Sequence, residues 1–375
     1  MTGIRLAAPL LALSQGFSAV AVGVLVALSA MTQFVLALPA GRAADRHGLR
    51  RPMGAAAALA ASGTIIAMIT PTFAALCVAA VLTGAATCLS MIAIQRHVGR
   101  IASSGIELRK MFSWLSVAPA AANFIGPVGA GLLIDHGGSE AGDPMGYRLC
   151  FAAMAIVALL SWLLVRRLSE PKIDAVAPEQ SRAGALGLLR QPGMPRLLFL
   201  NWAQSSGWDI HSFAIPIIGH EKGIPASMIG TLLGCFGCAV AFVRAFLSRI
   251  AGNASDQTVL QISFFGSLLG FACYPFLQSP WTMALCSIML GLSLGASQPV
   301  VMTVLHEITP TARRGQMLAL RMMLLNGSSM VMPMVVGSVG TLFGVATVFF
   351  IGAGTSALAT LVSRGTRIAP RPPSS

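Results

Sequence analysis

The chain has 375 residues; 55% of them are hydrophobic, only 10% are charged, and the formal net charge is +13. Because soluble domains carry about 25% charged residues, this composition leaves too little polar surface to cover a water-soluble fold of this size. The excess of lysine and arginine does not indicate nucleic-acid binding, since those residues fall between long apolar stretches. The composition therefore predicts a protein whose main solvent is the lipid bilayer.

Apolar segments long enough to cross a bilayer recur along the whole chain. A spanning helix needs roughly 20 mostly apolar residues, and turn residues such as Pro71 and Pro280 separate neighbouring segments. A short apolar piece at 4–15 is followed by predicted spans at 19–40, 53–70, 73–95, 111–134, 147–165, 196–219, 226–248, 258–278, 281–305, 317–342 and 345–363. We expect an all-α membrane protein.

The second half of the chain repeats the first at a shift of about 206 residues. Glycines and a proline coincide in the two copies: Pro127 with Pro333, Gly131 with Gly337 and, with a one-residue slip, Gly23 with Gly230. The repeat predicts two six-helix bundles, 1–165 and 196–364, related by pseudo-two-fold symmetry, with a cytoplasmic linker at 166–195 and a cytoplasmic tail at 365–375. The first helix is about 12 residues shorter than its counterpart, so we expect an upstream natural start or a shortened variant.

Lysine and arginine outside the apolar segments are concentrated in alternate connections, those after helices 2, 4, 6, 8 and 10, and in the tail. Arg148 and Lys222 fall on the opposite side. Since cytoplasmic segments carry the excess of basic residues, these connections and the C-terminus are predicted to be cytoplasmic. Arginine far outnumbers lysine, and alanine and glycine are abundant, as is typical of GC-rich bacterial genomes; a bacterial inner membrane is therefore expected.

A short loop rich in glycine and arginine is predicted after helix 2, and it reads GRAADRHGLRR at 41–51. Glycines suit a tight turn, and the carboxylate and arginines can lock neighbouring helix ends; a basic loop with one incidental acid is the alternative. The segment resembles the loop signature of the major facilitator superfamily, G-x-x-x-D-R-x-G-R-R. The resemblance implies a latch for the outward-open state, in which Asp45 contacts the start of helix 11. The latch loop comprises Gly41, Asp45, Arg46, Gly48, Arg50 and Arg51.

A second element lies in helix 5, where Gly126, Pro127 and Gly131 form a glycine–proline cluster. Glycines let another helix approach and proline frees a backbone carbonyl, so we expect a hinge here. The cluster is similar to the antiporter element of the same superfamily, which favours export. Pro119 and Asn123 stand where that element has further glycines.

The predicted helix 7 carries an aspartate, Asp209, about 11 residues from its outer end and roughly 16 Å deep. A charge at this depth is expensive and marks a functional site by default. His211 can titrate near neutral pH, so the two are a candidate proton-coupling pair, although residues two apart on a helix do not share a face. The alternative is that Asp209 neutralises a structural arginine and that His211 bonds a neighbouring carbonyl.

Further polar residues in the spans are candidates for the same site. Arg5 in helix 1 lies at a similar depth, and we expect an Arg5–Asp209 pair; alternatively, Arg5 is free to hold an anionic substrate group. Hydrogen-bonding or stacking roles in the cavity are predicted for Gln204, Gln298 and Trp208. Arg244 and Arg321 lie near cytoplasmic helix ends, where they are expected to snorkel or to join an inner gate.

No nucleotide-binding loop, nucleophile constellation or metal-ligand set is visible, so we expect neither an enzyme nor a cofactor. The resemblance implies a major facilitator fold and a cavity between helices 1, 4, 7 and 10. The predicted function is secondary active transport of a small organic molecule by alternating access, coupled to H⁺ and leaning to efflux, by a monomer in the lipid bilayer. The alternatives are uptake of a metabolite or organic anion, and a transporter-like sensor that binds without flux.

Overall fold

The chain was studied as a computed structural model, which describes residues 2–101, 105–138, 143–168, 189–191, 193–251, 254–309 and 314–364. This part folds into α-helices with no strand. The helices are α1 Ile4–Ser14, α2 Ala19–His47, α3 Arg50–Ile69, α4 Phe73–Ile101, α5 Gly105–His136, α6 Pro144–Val165, α7 Met194–Glu221, α8 Ala226–Ala251, α9 Asp256–Cys273, α10 Pro280–Ile308, α11 Arg314–Phe343 and α12 Val345–Arg364. The all-α fold class predicted from the sequence is confirmed.

Most of these helices have the length and composition of membrane spans. Among the described residues, nine helices are long and apolar enough to cross a bilayer. They do not include α7, which carries several polar residues in its middle, or α5. Several helices run past the predicted spans; α2, for example, continues to His47.

Capping residues mark the starts of helices, and a glycine marks the end of one, at the predicted breaks. Ser18 accepts a hydrogen bond from the Ala21 amide at the start of α2, and Asp143 accepts one from the Met145 amide at the start of α6. These caps satisfy backbone N–H groups that have no partner within the helix. Gly48 follows α2 with a φ of 69°, a left-handed conformation that glycine adopts without strain.

Two helix pairs form the most extensive contacts between the first six helices and the last six: α2 lies against α11, and α5 lies against α8. We call these two contacts the seams. Within the first six helices, α4 packs on α2 and α3; within the last six, α10 packs on α8 and α9. A continuous apolar core crosses both seams and includes Leu6, Phe236 and Phe349. Linker 166–195 and tail 365–375 lie largely or wholly outside the described residues, so their boundaries stay predictions.

Glycines bring the backbones together at both seams. An added Cβ at Gly23 or Gly230 would lie less than 3.0 Å from the carbonyl oxygen of Pro333 or Pro127, respectively. The same holds for Gly337 against Ala19 and for Gly131 against Ala226. These glycines and prolines are the residues that the sequence repeat pairs, so the two seams are built from equivalent positions of the two copies.

The α5–α8 seam is tightest toward the start of α8, and we call the end of the molecule where α2 and α8 begin the closed end. Along the α5–α8 seam, a Cβ at Gly237 would lie 3.2 Å from Asn123, farther than those at Gly131 and Gly230. At the closed end, the carboxylate of Asp135 on α5 accepts hydrogen bonds from the amides of Ala226 (3.0 Å) and Ser227 (2.6 Å) on α8. A carboxylate at a helix N-terminus is favoured by both the free N–H groups and the helix dipole. Asp135 therefore ties α5 to α8 across the seam.

Candidate functional site

A cavity of about 170 Å³ lies between the two sets of helices. It is lined by α1, α2, α4, α7 and α11, through residues that include Arg5, Ser29, Thr83, Asp209, Ser212 and Ser329. The sequence predicted helices 1, 4, 7 and 10 here, and α10 contributes no described residue to this lining. The physical reason is that α10 packs behind α7, against α8 and α9, while α2 and α11 meet at a seam beside the cavity.

Asp209 is the acidic residue of this cavity. Its Oδ2 accepts a hydrogen bond from Ser329 Oγ of α11 at 2.9 Å. Arg5 of α1 lines the same cavity and is a positively charged residue of its lining. The structure thus brings Arg5 and Asp209 together in one cavity from opposite halves of the molecule, while their direct ion pair stays a prediction.

Ser329 is a site residue that the sequence analysis missed. It follows Asn326, Gly327 and Ser328, a run of polar and small residues in the middle of an otherwise apolar helix. Ser328 contributes as well, because its hydroxyl lies 3.1 Å from that of buried Ser206 on α7. A polar run at mid-membrane depth, facing the polar helix 7, is the signal that could have identified this surface.

His211 lies in different surroundings from Asp209, so the predicted proton-coupling pair is not brought together. Its Nε2 is 3.1 Å from Ser287 Oγ, which is in turn 3.0 Å from the hydroxyl of Tyr274. Its ring is fully buried and stacks on Phe236, with centroids 4.2 Å apart. The reason is helical geometry, since residues two apart point to nearly opposite sides of a helix. His211 is therefore a packed residue of the α7–α8–α10 interior.

Arg244, Gln298 and Trp208 form one cluster, although the sequence assigned the first to a gate and the others to the cavity. Arg244 Nη2 donates a hydrogen bond to Gln298 Oε1. The guanidinium carbon lies 5.9 Å from the ring centroid of Trp208, which also lines the cavity with Asp209. Gln204 is buried in α7 and is absent from the described lining.

Arg321 does not snorkel. It is only 5% exposed, and its Nε donates to Asn201 Oδ1 of α7 at 2.9 Å. Since α7 covers this turn of α11, the guanidinium finds its partner inside the protein instead of at the interface. Asn201 is a second residue that the sequence analysis did not single out, and a gating role for Arg321 stays a prediction.

The latch loop is largely the end of α2, not an open loop, because Gly41 to His47 are helical. Arg50, at the start of α3, donates from Nε to the carbonyl oxygen of Leu168 at 2.8 Å, which ties the loop to the end of α6. Arg46 and Arg51 are exposed, and Gly48 forms the turn. The side chain of Asp45 lies outside the described part, so the latch stays a prediction.

The predicted hinge of α5 is a packing surface on two sides. Gly126 lies against the first residues of the chain, where Thr2 Oγ1 donates to the carbonyl oxygen of Ala122 at 2.5 Å. Pro127 and Gly131 face α8 at the seam. Helix α5 runs without interruption through these positions, and bending there stays a prediction.

A cavity that holds charged and hydroxyl side chains between two sets of membrane-length helices is typical of alternating-access carriers. The family model of the Major Facilitator Superfamily matches residues 1–204 and, a second time, residues 197–375. The chain therefore belongs to the Major Facilitator Superfamily, which confirms the family predicted from the loop signature and the repeat.

Solved structures and curated relatives agree with this family. The nucleoside transporter NupG matches with a TM-score of 0.78 and 13% identity, covering 98% of this chain and 96% of the other. A bacterial homologue of the iron transporter ferroportin, in an inward-facing state, matches with a TM-score of 0.74 and 14% identity over 97% and 94%. At these identities the likeness shows the fold, and the predicted major facilitator fold is confirmed.

Two curated relatives are similar over part of their length. Multidrug resistance protein MdtG of Dickeya zeae is 23% identical over 235 residues, which are 61% of this chain and 58% of the relative. The gallate transporter of Pseudomonas putida is 29% identical over 119 residues, 30% of this chain and 26% of the relative. The chain thus matches less than three fifths of the first relative and about a quarter of the second.

Proposed function

We propose that the chain is a secondary active transporter that exports a small organic molecule by alternating access and is driven by protons that bind to Asp209. The observation that carries this proposal is the position of Asp209, which lines a cavity between the two halves of the protein. A carboxylate at this depth is expensive to keep charged, so it persists in membrane helices mainly where it handles an ion or a substrate.

The surroundings of Asp209 suit a group that changes its charge. Ser329 donates a hydrogen bond to the ionised form, and Arg5 supplies a positive charge from the opposite half. When the carboxylate is ionised, its attraction to Arg5 favours an arrangement that holds the two halves together around the cavity. When it binds a proton, that attraction is lost and other arrangements become accessible, which is the link that coupling requires.

Charge distribution supports the orientation of the transporter. The connections at the closed end carry Lys222, whereas the opposite end carries Arg46, Arg50, Arg51, Arg166 and Arg167. By the positive-inside rule, the closed end faces away from the cytoplasm and the C-terminus is cytoplasmic. Closure of the outer end corresponds to one of the two states that alternating access requires. The lean to export comes from the relative that is named a multidrug resistance protein. A bacterial inner membrane and a monomeric state complete the proposal.

Uptake of an organic anion is the alternative function. Two observations favour it: Arg5 offers a positive charge in the cavity, and the segment of 119 residues resembles a relative named a gallate transporter. The direction of transport separates this alternative from export. As protons enter the cell, an antiporter moves substrate out of the cell, whereas a symporter moves substrate into it.

The test of the proposal is proton movement in liposomes that contain the purified chain under an imposed pH gradient. A panel of metabolites and drug-like cations is added, and wild type is compared with Asp209→Asn and with Glu221→Gln, an exposed acid at the end of the same helix. We expect substrate-dependent proton movement in wild type and Glu221→Gln and its loss in Asp209→Asn. Unchanged proton movement in Asp209→Asn would show that this residue does not couple protons to transport. Absence of proton movement in wild type would favour the alternative of a transporter-like sensor that binds without flux.

A further inference from the structure

Arg244 is a positive charge near the end of a candidate membrane span, and its contacts among the described residues are neutral. It lies about 27 Å along α8 from Ala226, within the candidate span Ala226–Leu247. Its hydrogen-bond partner is the Gln298 side chain on α10, and its guanidinium lies over the ring of Trp208 on α7. An amide oxygen and an aromatic face stabilise a cation without neutralising it.

Arg321 provides a comparison within the same half of the protein. It too bonds a neutral amide, that of Asn201, but only 5% of its surface is exposed, so its guanidinium has no room for a ligand. Arg244 is exposed as a residue, unlike Arg321, although Gln298 and Trp208 contact its guanidinium. Since guanidinium has five N–H donors and Gln298 accepts through one oxygen, Arg244 retains the fork that matches a carboxylate.

The position of Trp208 connects this cation to the cavity. Trp208 lines the cavity beside its chain neighbour Asp209 and carries Arg244 over its ring. The edge of Phe236 packs against Trp208, with centroids 4.8 Å apart, and fixes the indole in place. Trp208 thus contacts both the cavity and the guanidinium, and Asp209 lies within the same short stretch of α7.

We propose that Arg244 binds the acidic group of the ligand, so that the molecule carried by this protein is a small organic anion. Gln298 orients the guanidinium, and Trp208 contacts the body of the ligand. As a statement about what is transported, this inference rests on the proposed function; as a binding site, it stands on the contacts of Arg244 alone. A carboxylate would give the guanidinium a partner of opposite charge, which the neutral Gln298 amide does not supply.

Equilibrium binding to the purified full chain in detergent tests the site without any gradient. Thermal unfolding is followed with benzoate, benzyl alcohol and benzylamine, which share a ring and differ in charge, and with succinate as an aliphatic anion. We expect stabilisation of wild type by benzoate or succinate and none by benzylamine. Equal stabilisation by benzylamine, or none by either anion, overturns the proposal.

Variants locate the anion. Arg244→Gln should weaken anion binding about tenfold or more, since a hydrogen bond to a charged group is lost. Gln298→Glu places a carboxylate against the guanidinium and should also weaken anion binding. Because it retains Arg244, this variant still tests the site if Arg244→Gln does not fold. Arg148→Gln removes an exposed arginine of α6 and should bind anions as wild type does. Wild-type affinity in both Arg244→Gln and Gln298→Glu refutes the assignment.

The outcomes separate this inference from the proposed function. If anion binding depends on Arg244 but the protein moves no protons in liposomes, the proposed transport is contradicted and the Arg244 binding site is supported. Proton movement driven by drug-like cations, in a protein that binds no anion, keeps transport and contradicts the site.

Discussion

The hydrogen bonds from the first turn of α8 to Asp135 define how firmly the closed end is held. We predict that Asp135→Ala loosens this end without unfolding the helices. The two bonds measure 3.0 and 2.6 Å and end on one carboxylate, which is half-buried. Losing an N-capping side chain costs about 0.5–2 kcal/mol, and hydrogen bonds to charged groups contribute about 1.5–3 kcal/mol.

Water replaces part of these bonds in the variant because Asp135 is not fully buried. We therefore expect a net loss of about 1–2 kcal/mol, which makes separation of α5 from α8 about 5- to 30-fold more frequent. Hydrogen–deuterium exchange measures this at the amides of Met228 and Ile229, which bond to the Pro225 carbonyl in wild type and variant alike and exchange only when the start of α8 opens. Peptides that cover the start of α8 should exchange about 5- to 30-fold faster in Asp135→Ala, which corresponds to the net loss of about 1–2 kcal/mol. In Asp135→Asn, the exchange rate at the start of α8 should lie between those of wild type and Asp135→Ala, because asparagine also caps helices.

The sequence repeat supplies a matched control. Thr341 of α11 occupies the position that the repeat aligns with Asp135, but its hydroxyl bonds Gly337 of its own helix at 2.9 Å. Thr341→Ala should therefore leave exchange at the start of α8 unchanged. Unchanged exchange in Asp135→Ala, or equal acceleration in Thr341→Ala, refutes the assignment of this carboxylate as a tie between helices.

Two further predictions concern packing. Gly230→Ala places a Cβ against the Pro127 carbonyl and should lower the free energy of unfolding by about 1–3 kcal/mol, measured by chemical denaturation. Gly129→Ala is the control, because a Cβ at Gly129 meets open space and should not destabilise the protein. His211→Phe should keep substrate-dependent proton movement in liposomes, because His211 packs away from Asp209, and should lower stability by about 1–3 kcal/mol through the loss of its bond to Ser287. Loss of proton movement in His211→Phe would return this residue to the coupling site.

Sequence reasoning succeeded where a property is local. The length of apolar segments predicted the helices, and the depth of Asp209 along one helix marked it as a cavity residue, because both follow from counting residues along a single element. The repeat also succeeded, since Gly23 and Gly230 occupy equivalent places at the two seams.

Relations between distant helices were less accessible. Ser329 donates to Asp209 across 120 positions of the chain, and a serine within a helix of small residues does not stand out from its sequence. Arg244 and Gln298 are separated by 54 positions, and nothing in the chain indicates that the gate candidate and the cavity candidate share a hydrogen bond. The sequence predicts that Arg321 reaches the membrane interface, because a single sequence does not show that Asn201, on another helix, lies beside it.

The seams themselves have a kinetic consequence. Glycine has no rotamers, so contacts of Gly23, Gly131, Gly230 and Gly337 with facing backbone freeze no side-chain motion when the halves meet. No interlocked side chains must withdraw there when the halves part, and the helices that supply the surfaces are already ordered. Contact at these positions therefore costs almost no side-chain entropy, which suits the opening and closing that the proposed transport by alternating access requires.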